Sequence, residues 1–100
     1  MLRKKCQEIA DKAFYDEFLV PDKMIYIKKI MESCKTESQL DDVVKWGKEC
    51  IFNIWRLHDR NVMEKYSTCD AIYITGKFGS NMKLIIKDIA RYYEELLRRM

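Results

Sequence analysis

The sequence predicts an all-α domain: a small helical bundle of four main helices, with room for a short fifth, packed around one long central helix. Three observations lead there. Glycine and proline are scarce, three and one in 100 residues, so the chain offers few turns. Apolar residues recur at three- and four-residue spacing along most of its length. Residues 37–66, ESQLDDVVKWGKECIFNIWRLHDRNVMEKY, run without a proline. As helix that stretch is about 30 residues and roughly 45 Å long.

Residues 2–18 predict the first helix. Leu2, Cys6, Ile9, Ala10, Ala13 and Phe14 mark its inner face, and Arg3, Lys4 and Lys5 make a basic start. The chain turns at Leu19-Val20-Pro21. Pro21 suits the first turn of a second helix over about 22–34, and Asp22 suits its positive dipole end. Met24, Ile27, Ile30, Met31 and Cys34 are the inner face there, with Tyr26 pointing out.

Thr36-Glu37-Ser38-Gln39 is a T-x-x-Q capping box that opens the long helix. On a wheel Leu40, Val43, Val44, Gly47, Cys50, Ile51, Ile54, Trp55 and His58 share one face, and Trp46 and Leu57 extend its edge. An apolar arc of roughly 180° is broader than a surface helix needs. Such a helix is expected to have partners on both sides. Phe52 and Met63 project into the opposite, polar arc.

Residues 67–81, STCDAIYITGKFGSN, are expected to hold a short helix from Asp70 to about Ile74, capped by Ser67 or Thr68. A loop at Gly76-Lys77-Phe78-Gly79 follows, with Phe78 folded onto the core. Ser80 or Asn81 then caps a last helix over 81–99, whose apolar face is Met82, Ile85, Ile86, Ile89, Tyr93, Leu96 and Leu97.

Composition sets the bounds. One hundred residues make a single domain, 1–100, large enough for its own core. At 48% hydrophobic and 35% charged the chain is too apolar to be disordered. A net charge of +3 permits an acidic partner without demanding one. The four cysteines have no C-x-x-C spacing and read as small buried hydrophobes with free thiols, which points to a reducing, cytoplasmic setting. No signal peptide and no membrane span is read.

Chemistry-bearing patterns are sparse. His58 is the one histidine and lies mid-face, as a core histidine would. A Cys–His pair with Cys50 or Cys69 would need a third orienting group, and none has recognisable spacing. Catalytic residues, cofactors and metal ligands are therefore not expected, and neither is an enzyme. Gly76-Lys77-Phe78-Gly79 resembles the G-x-x-G loop of KH domains, but that fold needs a β-sheet, and the residues after Gly79 read as helix.

The leading expectation is a non-enzymatic interaction module, an accessory or inhibitor protein of the kind phages and mobile elements encode, that occludes or bridges a macromolecular partner. Phe52, Met63, Tyr26, Tyr73 and Tyr92 are its candidate contact residues, with a protein partner or a symmetric homodimer on the other side. The alternative is nucleic-acid binding. Lys83, Lys87 and Arg91 recur every four residues, Lys77 stands just before them, and residues 70–90 could form a helix-turn-helix with a long turn.

Overall fold

A computed structural model describes all of residues 1–100, and they form four helices and no strand. Helix α1 (Arg3–Lys12) runs directly into a π-helical turn, Ala13–Glu17. Helix α2 spans Val20–Glu32, α3 Glu37–Lys65 and α4 Thr68–Arg99. No helix is long and apolar enough to cross a membrane.

The break between α1 and α2 follows from Pro21. Proline has no N–H for the carbonyl of Glu17, and its ring crowds that carbonyl, so α1 cannot run on. The chain first widens: the Phe18 N–H donates to the Ala13 carbonyl, five residues back, at 2.9 Å. Leu19 then turns left-handed, with φ 49° and ψ 47°, the one positive φ in the chain. That conformation costs a non-glycine residue about 1–2 kcal/mol. Lys23 Nζ donates to the Phe18 carbonyl at 2.9 Å and closes the junction. Pro21 then sits in the first turn of α2, as expected.

Helix α3 opens on the expected capping box. The Gln39 N–H donates to Thr36 Oγ1 at 3.1 Å, and Gln39 Oε1 accepts from the Thr36 N–H at 3.3 Å. Gly47 lets α2 approach closely, because a Cβ there would lie 2.7 Å from Ile27 Cγ2.

Residues 67–81 depart from expectation. Short helix, glycine loop and last helix are one continuous helix, α4, with 32 residues. There is no fifth helix. Both Gly76 and Gly79 are helical, and no glycine has positive φ. Ser67, not Ser80 or Asn81, caps α4 by accepting from the Asp70 N–H. Ser80 instead donates to the Gly76 carbonyl at 3.0 Å, and Thr75 to that of Ala71 at 2.7 Å, inside the helix. Continuity is enforced from inside: Ala71, Ile74, Phe78 and Met82 are all buried at three- and four-residue spacing. Asn81 reaches across to Asp11 at 3.1 Å.

This changes which element is central. Helix α4 packs against α1, the π turn, α2 and α3, whereas α3 packs chiefly against α2 and α4. Helices α1 and α2 follow each other along α4 in its own direction: Arg3 lies over Tyr73, Asp11 meets Asn81 and Lys28 meets Asp88. Helix α3 returns antiparallel, with Tyr93 bonded to Asp41 at one end and His58 against Phe78 further along. The product is a three-railed rod with extents of 50 × 20 × 18 Å. At 1.5 Å per residue α4 spans about 48 Å, so it runs nearly the whole length.

The cysteines are free, but only Cys6 is buried; Cys34 and Cys50 are half-buried. Cys69 is exposed in the first turn of α4, where the neighbouring Asp70 and Ala71 face the other helices instead.

Candidate functional site

The rod has two features with chemical potential: a crevice at His58 and an exposed apolar stripe on the α2–α3 side. The crevice exists because α1 packs on α4 and makes no extensive contact with α3. It holds about 270 Å³ between the π turn and the C-terminal part of α3. Ile9, Ala13, Phe18 and Val62 are among its apolar walls, and Glu17, Asn61 and Lys65 are exposed residues that also line it.

His58 is 2% exposed, as its place on the apolar face predicted. Its ring stacks on Phe78 with centroids 3.6 Å apart and planes 15° apart, and Phe18 meets it edge-on at 6.1 Å. Nδ1 lies 3.0 Å from the Asp59 carboxylate, while Nε2 is buried with no hydrogen-bond partner. The bonding partner is thus the adjacent residue, and neither Cys50 nor Cys69. Burial pushes the His58 pKa below its ordinary 6.5, against the opposing pull of Asp59 and the charge of Glu17. No group of three or more His, Cys, Asp and Glu side chains is placed to hold a metal ion.

A pH prediction follows. The folded imidazole binds its proton less readily than the unfolded one, so the unfolded state carries more protons below 6.5. Stability therefore falls as pH drops from 6.5 to the lowered native value, by up to about 1.4 kcal/mol per pH unit. His58 is the one histidine, so His58→Phe is expected to flatten the pH 5–7 part of the urea-denaturation profile. An unchanged slope would show that another group titrates there.

The five expected contact residues do not form one patch. Tyr26 is 60% exposed and meets Trp46 edge-on, centroids 6.2 Å apart. Phe52 stacks on Trp55, whose indole covers Gly79 on the α4 side. Met63 is 70% exposed and lines a groove with Ile72 where α3 turns into α4. Tyr73 carries the Arg3 guanidinium 5.4 Å from its ring centre. Tyr92 is half-buried: its hydroxyl donates to the Glu32 carboxylate, which raises its pKa, and Lys28 lies 5.2 Å from its ring centre. The neighbouring Tyr93 is tied to Asp41 in the same way, which pushes its pKa to about 12.

Trp46 and Leu57 were not among the expected contact residues, yet both are exposed. With Cys50 and Asn53 between them at four-, three- and four-residue steps, they share one face of α3. The signal was their place at the rim of an arc too broad for any neighbour to cover.

The basic residues also divide. Lys83, Lys87 and Arg91 are exposed on the outer face of α4, and none has an ion-pair partner. Lys77 lies about 120° around the helix from Lys83. It faces the α1–α4 groove beside Arg3, Gln7 and Tyr73. The helix-turn-helix geometry is absent, because its turn is helical.

The fold and these surfaces define a helical-rod domain. Comparison with known protein families, with characterised proteins and with solved structures returned no match.

Proposed function

We propose that the chain is a non-enzymatic interaction domain that engages a macromolecular partner through the α2–α3 face. One observation carries this reading: Tyr26 and Trp46 pack against each other while staying 60% and 42% exposed, with Leu57 further along the same face. Aromatic side chains of this kind dominate binding energy at interfaces because they bring large rigid area at small entropic cost. Phe52 and Met63 extend the contact to neighbouring faces if the partner wraps the rod. A second copy of the chain would use the same residues, and the four free thiols suit a reducing compartment.

The test compares wild-type and Tyr26→Ala/Trp46→Ala chains as bait at high salt, with sedimentation to detect self-association. Loss of the captured protein, or of the dimer, with an unchanged helical spectrum is the expected result. Equal capture or equal self-association by both would sink this face as the interface.

A second reading rests on Lys83, Lys87 and Arg91, whose four-residue steps set charges about 6 Å apart along α4. Three phosphate contacts predict that duplex affinity falls about 40-fold between roughly 50 and 200 mM salt. Lys83→Glu with Lys87→Glu should abolish binding measured by anisotropy. Binding that ignores salt would count against this stripe.

A further inference from the structure

We infer that the occupant of the α2–α3 face is a second copy of this chain, laid antiparallel on the first, α3 along α3, about a two-fold axis between Cys50 and Asn53. This rests on the reading of that face as the interface and names what covers it. Trp46, Cys50, Asn53 and Leu57 stand at four-, three- and four-residue steps, the spacing that keeps a seam in register along two paired helices. The large exposed side chains, Trp46 and Leu57, hold the two ends of the stripe. Reversed on itself, the stripe sets Leu57 of each copy against Trp46 of the other, beside Tyr26, and Cys50 against Asn53. A two-fold interface has this reciprocity, in which one residue meets a second and the second meets the first.

The charges beside the stripe select this occupant. On the rim away from α2, α3 carries Asp42 and Glu49 in its N-terminal half and Arg56 and Arg60 in its C-terminal half, all four exposed. They lie about 50–90° round the helix from the stripe, with Lys45 further out at about 110°. A partner of one sign is repelled by one half of such a rim. A second copy running the other way brings its Arg56 and Arg60 to Glu49 and Asp42, and the match repeats at the other end. Parallel pairing sets acid on acid and base on base. Glu64, the acid beyond Leu57, falls opposite Gln39. Glu49 and Arg56 already touch within one chain at 3.0 Å, but both are more than 60% exposed, so that contact is weak and its two ends are free to re-pair. Matched rim charges set the orientation, and the apolar anchors supply most of the affinity. A side of the rod measuring 50 × 20 Å has room for the roughly 800 Å² that a standard interface takes from each partner.

Sedimentation equilibrium on the full chain is the test, with wild type expected to pass from monomer to dimer as concentration rises. Asp42→Arg/Glu49→Arg makes the whole rim basic, and Arg56→Glu/Arg60→Glu makes it acidic. With unchanged helical spectra, each variant alone is expected to dimerise about tenfold more weakly, and an equimolar mixture to dimerise as wild type does. Asn53→Cys, in a Cys69→Ser background, should oxidise to a covalent dimer bonded through Cys50 of the other copy. A bond between the two introduced thiols would show parallel pairing and overturn the inference. So would a variant that pairs with itself as well as wild type does, or a mixture that stays monomeric. Wild type that is monomeric at every concentration overturns it too; capture of another protein by that chain, lost on Tyr26→Ala/Trp46→Ala, would then leave the face standing as an interface. A dimer that survives Tyr26→Ala/Trp46→Ala overturns both the second copy and the face.

Discussion

Phe78→Ala is expected to lower the stability of the domain by about 3–5 kcal/mol, much of what a chain of this size has to lose. Phe78 is fully buried and is the largest such side chain. It stacks on His58 and meets Phe14 and Phe18 edge-on at 6.2 and 6.1 Å, so one ring ties α4 to α3, to the π turn and to the residue that ends that turn. Truncation removes the transfer energy of the ring and leaves a void that three rails on a stiff rod close poorly. Urea denaturation should show a lower midpoint at constant slope. His58 gives a second readout. With the stacked ring gone, water reaches the imidazole and its pKa should climb back toward 6.5. A loss under about 1 kcal/mol would mean that Phe78 is not the junction of the core.

Substitutions at Gly76 are expected to have large effects of opposite sign. In a helix interior alanine is better than glycine by about 1 kcal/mol, and proline is worse by about 3 kcal/mol or more. A Cβ at Gly76 meets nothing within 4 Å, so alanine collects the gain without a clash. Gly76→Ala should therefore raise Tm by about 4–8 °C, and Gly76→Pro should unfold or nearly unfold the chain. A loop would give the reverse pattern, with proline tolerated and alanine harmful wherever φ is positive. Gly47→Ala is the internal comparison. It has the same propensity gain, but its Cβ would lie 2.7 Å from Ile27 Cγ2, so it should destabilise.

These two residues also mark the boundary of what was legible. Phe78 was readable as an apolar side chain bound for the core. The local sequence around it, with Ile72, Ile74, Thr75 and two glycines, disfavours helix residue by residue. The overriding signal was the spacing of Ala71, Ile74, Phe78 and Met82, which means helix only if a partner lies along that whole face. Helices α1 and α3 are those partners, and neither is adjacent in sequence to the centre of the segment. The crevice was less legible still. His58 could be placed inside, but the crevice beside it depends on where the π turn lies relative to α3.

The sequence by itself determined what depends on near neighbours: the all-helical class, the capping box at Thr36, the break forced by Pro21, and most of the inward faces of α1, α2 and α3, with Leu2, Trp46 and Leu57 as the exposed exceptions. Only the tertiary structure decided that α4 runs unbroken and carries the other rails. It alone scattered the five candidate contact residues and left Tyr26 and Trp46 together on the surface. The reason is the range of the forces. Caps and proline act within about one turn, whereas burial is settled by whichever distant segment arrives to cover a face.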